Sequence, residues 1–279
     1  MSSAALDRLL ALVLAAQITT GLISLRSGVP ATAPLFWIHG LLGGALLVAV
    51  VMKLWRSVGP AIRHRRWGRF ALGSLLAVLA GGALVGGVAW VASGRILSIG
   101  PWTVLTVHVL FALALVPIAA LHLLPRRWRL LRPPAGAHLS RRAFLAAASV
   151  TALGAAVWGA ANLLDAVQGG VRRFTGSRWL PLGGIPPATT FFGEATAPID
   201  TATWRLHVDG RVARPLALSL AELEALGTTQ RREILDCTSG WALETDWRGV
   251  ALGALLDAAG PMRGARVVTV RAVTGWYAT

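Results

Sequence analysis

Five long apolar stretches constrain this chain more than anything else in it. Residues 6–25, 36–55, 70–91, 102–124 and 143–164 are each long enough to cross about 30 Å of hydrocarbon as a helix. The links between them differ in charge. Arg26 stands alone in the first link and Arg95 in the third. The second holds Lys53, Arg56, Arg63, Arg65, Arg66 and Arg69, and the fourth holds Arg126, Arg127, Arg129, Arg132, Arg141 and Arg142. Positively charged links stay in the cytoplasm. The expected topology therefore has a cytoplasmic N-terminus and places everything after the fifth helix outside the cytoplasm.

The composition agrees: 55% of residues are hydrophobic and the mean hydropathy is +0.62. The net charge of +15 is uneven. Residues 1–170 carry fifteen Arg/Lys against Asp7 and Asp165, whereas residues 171–279 carry twelve Arg against ten acidic residues. The excess belongs to the apolar half, so it signals membrane topology and gives no reason to expect nucleic acid. The lipid bilayer is the expected partner of that half.

The sequence divides into a four-helix membrane domain (1–125), a basic cytoplasmic loop with the fifth helix (126–168), a linker (169–187) and an exocytoplasmic domain (188–279). Ser140-Arg141-Arg142-Ala143-Phe144-Leu145 opens the fifth run and resembles a twin-arginine export signal. A folded, cofactor-bearing outer domain is the expectation that follows. Cleavage of the segment is left open.

Histidines in the spans are candidate functional groups, because ionisable residues there are costly. His39 and His108 fall at matching depth near the outer ends of the second and fourth helices. His122 lies near the inner end of the fourth, with His64 in the basic link before the third. His108 and His122 are about 21 Å apart along a helix axis and within about 40° of one face. Imidazole suits iron, and two histidines make a six-coordinate electron-transfer haem. One or two haems b are expected, an outer one on His39 and His108 and an inner one on His64 and His122. The other reading of these histidines is interhelical hydrogen bonding. Helix number and histidine depth resemble the four-helix membrane cytochromes b. Gly40/Gly44 and Gly82/Gly86 fit either a macrocycle's approach or small-xxx-small helix packing.

From residue 189 the pattern is mixed α+β. Residues 204–208 alternate into the turn Asp209-Gly210, and Ser219 with Glu222 forms a capping box for a short helix. Residues 247–250 read as a turn, Leu252, Leu255 and Leu256 as a helix face, and 266–273 as a strand. His207 reads as structural. The only cysteine, Cys237, ends an apolar strand and opens the turn Thr238-Ser239-Gly240 before Trp241. It has no second cysteine for a disulfide and no zinc-type cluster around it. It is either a ligand-facing thiol or a small buried apolar residue.

Phe191-Phe192-Gly193-Glu194, Trp204…Val208-Asp209-Gly210, Leu218-Ser219…Leu223, Cys237-Thr238-Ser239-Gly240-Trp241 and Trp247-Arg248-Gly249-Val250 before Leu255-Leu256 occur in that order. Together they resemble the molybdopterin-binding domain of the sulfite oxidase family, on the bacterial branch that includes the periplasmic methionine sulfoxide reductase catalytic subunit. The resemblance implies a molybdenum–molybdopterin cofactor with the Cys237 thiolate as its one protein ligand and catalytic residue. It implies oxygen-atom transfer on a small substrate, as a sulfoxide or N-oxide reductase or a sulfite oxidase-like enzyme, with electrons exchanged with the quinone pool. Trp241 either walls that site or packs in the core. Arg231 and Arg232 either meet the pterin phosphate or form a solvated face. In this family the domain continues beyond the position of Thr279, so a C-terminally truncated domain is expected. Two alternatives are a haem-free membrane anchor carrying the same molybdenum domain, and a non-enzymatic membrane scaffold with an outer binding domain.

Overall fold

The computed structural model describes residues 3–63, 67–124, 141–181, 184 and 198–279. The chain forms two compact units, Met1–Leu180 with Asp236–Ala242, and Pro181–Leu235 with Leu243–Thr279.

The first unit is built on five helices: α1 (Ser3–Ser24), α2 (Ala33–Arg63), α3 (Trp67–Ala92), α4 (Val104–Leu123) and α5 (Arg141–Val167). Each contains a segment long and apolar enough to cross a membrane. The helix ends differ from the hydropathy reading, notably at two places. Helix α2 runs on to Arg63 through Pro60, so Lys53 and Arg56 lie on the helix and not in a link. Helix α4 starts at Val104, because Trp102–Thr103 (β2) pairs antiparallel with Ser98–Ile99 (β1). Thr103 then caps the helix, its hydroxyl accepting from the Thr106 amide at 3.1 Å.

Small residues let these helices approach closely. A Cβ on Gly44 would lie 2.2 Å from the Gly154 carbonyl oxygen, and one on Gly40 would lie 2.1 Å from Trp158 Nε1, so this pair seats α2 on α5. A Cβ on Gly82 would lie 2.6 Å from Phe111, which seats α3 on α4. Leu6, Ala45, Ala49 and Val150 form the buried core shared by α1, α2 and α5. Beyond α5, Arg178–Trp179 (β3), inside the stretch read as a linker, pairs parallel with Trp241 and Ala242.

The second unit is α/β. Leu206–Val208 (β4) and Leu216–Leu218 (β5) form an antiparallel hairpin, turned by Gly210 at φ 91°. Leu220–Ala225 (α6) carries the capping box expected from the sequence, with both Ser219–Glu222 bonds present. Thr228–Asp236 (β6) neighbours Trp241–Val250 (β7). Residues 247–250 are therefore strand and not turn. Trp247 Nε1 donates to the Glu233 carbonyl and Thr229 Oγ1 to the Gly249 carbonyl, which holds that end of β7 on β6. Leu252–Ala259 (α7) ends at Gly260 in the left-handed region, and Arg214 donates to the Asp257 and Ala258 carbonyls there. Of residues 266–273 only Val270–Arg271 (β8) is strand, paired with Tyr277–Ala278 (β9).

Candidate functional site

The cysteine turn folds with the helices. Gly240 N donates to the Cys237 carbonyl and Cys237 N to the Trp241 carbonyl, both at 2.9 Å, closing a tight turn. Gly240 has φ 98°, and a Cβ there would lie 2.6 Å from Trp90 of α3 and 2.8 Å from Leu105 of α4. A side chain is excluded twice over, by conformation and by space. The Thr103 hydroxyl that caps α4 also donates to the Ser239 carbonyl at 2.5 Å. Arg178 N donates to the Gly240 carbonyl. The thiol is free and half-buried, with its Sγ 3.0 Å from Ser239 Oγ.

Asp236 fixes the turn from the other side. Its carboxylate accepts from Thr175 Oγ1 at 2.8 Å, from Ser177 Oγ at 2.5 Å and from the guanidinium of Arg173. The Arg173 guanidinium lies over Phe174 and Trp179. Below this layer, Arg178 is buried. It donates to Asp165 at 2.9 Å and to the Trp90 carbonyl at 2.6 Å, closing the C-terminal end of α3. Burial lowers the Arg178 pKa, while Asp165 opposes that shift by hydrogen bond and charge. Arg172 completes the cluster, pairing with Asp165 at 2.7 Å and Asn162 at 2.8 Å. None of these supports was read from the sequence. The available signal was Asp165, one of two acidic residues in the apolar half.

His39 and His108 come together, with ring centroids 6.2 Å apart at 89°. Glycines seat both rings: a Cβ on Gly21 would lie 3.1 Å from His39, and one on Gly87 would lie 3.2 Å from His108. His108 Nδ1 meets the Ala83 carbonyl at 2.6 Å. A backbone carbonyl on Nδ1 orients a ligating imidazole and leaves Nε2 for a metal. His39 contacts Thr20 Oγ1 at 2.9 Å through Nδ1 and the Gln17 amide nitrogen at 3.1 Å through Nε2. It would ligate iron through Nε2 only after that amide turned away. A cavity of about 420 Å³ is lined by both histidines and by Asp236, Cys237 and Thr238.

The other sequence candidates lie elsewhere. His122 lines a separate cavity of about 770 Å³ at the opposite end of the bundle. His64 and Phe191–Glu194 lie outside the described residues. Trp241 is buried at the start of β7, with its Nε1 unpartnered among the described residues. Arg231 and Arg232 are exposed on β6 in the second unit, and Arg232 pairs with Glu244 at 3.0 Å and Asp246 at 3.7 Å. No cluster of three or more His, Cys, Asp or Glu is found among the described residues. A lone half-buried thiol lining a cavity nevertheless suits a soft metal whose other ligands come from a dithiolene.

Residues 194–279 match the family described as "Oxidoreductase molybdopterin binding domain". The chain is 30% identical over 103 residues to a Bacillus subtilis (strain 168) protein called "Uncharacterized oxidoreductase YuiH", over 34% of this chain and 52% of that protein. It thus spans about half the length of that curated relative. No solved structure matches. The matched region contains the second unit's elements from β4 onward and the Asp236–Ala242 turn that folds in the first unit.

Proposed function

We propose that this chain is a membrane-anchored molybdenum-cofactor oxidoreductase that transfers an oxygen atom to or from a small substrate outside the cytoplasm. It exchanges electrons with the quinone pool through a haem b held by His39 and His108. The N-terminus is cytoplasmic, and the twin-arginine-like segment at Arg141-Arg142 belongs to export of the outer domain. The observation that carries this reading is the single cavity lined by Cys237 and by both histidines.

Cys237 would hold the metal through its thiolate, and the cofactor would supply two-electron oxygen-atom transfer. Asp236, the residue before the thiolate, is held in place by Arg173, Thr175 and Ser177. Thr103 and Arg178 hold the carbonyls that follow it. Trp241 packs behind the turn. His108 would offer Nε2 to a haem, whereas His39 would do so only with its Gln17 contact broken. A haem-free anchor is the second reading, favoured by the contacts that already occupy both nitrogens of His39.

The test is elemental analysis and a dithionite-minus-air visible spectrum on the detergent-purified chain, wild type beside Cys237→Ser and His108→Ala. Molybdenum near one per chain, lost in Cys237→Ser, together with a b-type α-band lost only in His108→Ala, is the expected result. Molybdenum without the band gives the haem-free anchor. A chain without molybdenum overturns the proposal.

A further inference from the structure

We infer that Ser239 is a positioning residue for the Cys237 sulfur: its hydroxyl donates a hydrogen bond to the thiolate and sets how that sulfur is presented to a metal. The inference rests on the molybdenum reading above. Ser239 is 2% exposed, and its Oγ lies 3.0 Å from Cys237 Sγ, its one side-chain partner among the described residues. A buried hydroxyl left without a partner is costly, so the contact is held. A thiolate carries no proton and can only accept, which turns the hydroxyl proton toward sulfur. Cys237 and Thr238 line the cavity of about 420 Å³, whereas Ser239 does not. The hydroxyl therefore acts on the sulfur from within the protein and leaves the cavity to a ligand.

The donor is itself fixed. The Ser239 carbonyl accepts from Thr103 Oγ1 at 2.5 Å, and Thr103 Oγ1 lies 3.0 Å from Thr106 Oγ1 in the first turn of α4. Both threonines are buried. On the other side, Gly240 N donates to the Cys237 carbonyl and the Gly240 carbonyl accepts from Arg178 N. With the backbone pinned at both ends, the side-chain torsion is the freedom left to Ser239, and the sulfur is what its hydroxyl meets. Hydrogen bonds to a metal-bound sulfur draw charge from it, and they are one of the means by which a protein sets a metal's reduction potential. A serine that only filled the turn would leave that potential unchanged.

The experiment compares the detergent-purified full chain with Ser239→Ala, which removes the hydroxyl, and Ser239→Thr, which keeps it. Two readouts are taken. The chain has one cysteine, so the S–H stretching band in the Raman spectrum of the metal-free protein reports this sulfur alone. The midpoint potential of the bound molybdenum is then measured in the loaded protein by redox titration followed by electron paramagnetic resonance. The expected result is an S–H band displaced in Ser239→Ala and restored in Ser239→Thr. The potential should be lower in Ser239→Ala at unchanged molybdenum content, and should return to the wild-type value in Ser239→Thr. An S–H band unmoved in Ser239→Ala overturns the inference, as does an unmoved potential. Wild-type chain without molybdenum overturns the molybdenum reading, and the role of Ser239 toward a metal falls with it. The two failures are distinct, because the S–H band is recorded without metal.

Discussion

Asp165 and Arg178 are a buried ion pair at the end of α5; Arg178 also donates to the Trp90 carbonyl at the end of α3, and Asp165 also accepts from Gly94 N and Arg172. Removing Asp165 leaves the buried Arg178 charge without its carboxylate, at a cost of about 3–5 kcal/mol, whereas removing Arg178 leaves Asp165 still paired with Arg172 and costs less. Asp165→Asn is expected to lower the thermal midpoint of the purified chain strongly, and Arg178→Met to lower it by less. The double variant Asp165→Asn/Arg178→Met should lose less than the sum of the two. At this scale the sequence was uneven. Cys237 stood out as the one thiol, and His39 and His108 by equal depth in their helices. Asp236 did not stand out, because Thr175 and Ser177 lie 61 and 59 residues away from it and leave no local pattern. Arg231 and Arg232 were candidates for an anionic ligand, and the structure shows Arg232 holding β6 to the acidic residues of β7.

At the level of elements, hydrophobic length located all five helices, because backbone polar groups in an apolar medium leave a continuous helix as the available answer. The glycine pairs could not be assigned from sequence alone, since packing and cofactor approach demand the same small residue. The structure gives Gly44 to the α2–α5 contact. Gly154→Leu is expected to push α5 off α2, where its Cβ would lie 2.3 Å from the Ala45 amide nitrogen. Its effect, a lowered melting temperature with helical content retained in detergent, is readable by circular dichroism. Beta elements were harder to read. Strand β3 is two residues long, too short for any periodicity, and it is defined by the partner it meets at Trp241 and Ala242. Residues 247–250 contain a glycine and an arginine and so resemble a turn, until the bonds from Trp247 and Thr229 hold them on β6.

For the whole molecule, the boundary between its two units does not follow the chain. Residues 236–242 lie within the matched molybdopterin-binding region, yet they pack with α3, α4 and β3. On the function proposed above, helix integrity and metal retention would be coupled through one turn. Gly240→Ala tests this coupling: its added methyl meets Trp90 and Leu105 and the left-handed backbone costs about 1–3 kcal/mol. Molybdenum content should fall sharply while the helices keep their circular dichroism signal. Unchanged metal content would mean that the turn is indifferent to its seat.

The Asp236–Ala242 turn also bears on how such proteins can be recombined. A gene fusion cut at the end of β3 looks like a clean exchange of one cassette for another, a new anchor in front of an old enzyme. The transplanted enzyme would carry its cysteine but leave behind Thr103, Trp90, Leu105 and Arg178, which hold that cysteine's turn in shape. For this chain, the helical unit and the Cys237 turn form one heritable piece, and a workable chimera has to take its junction from both.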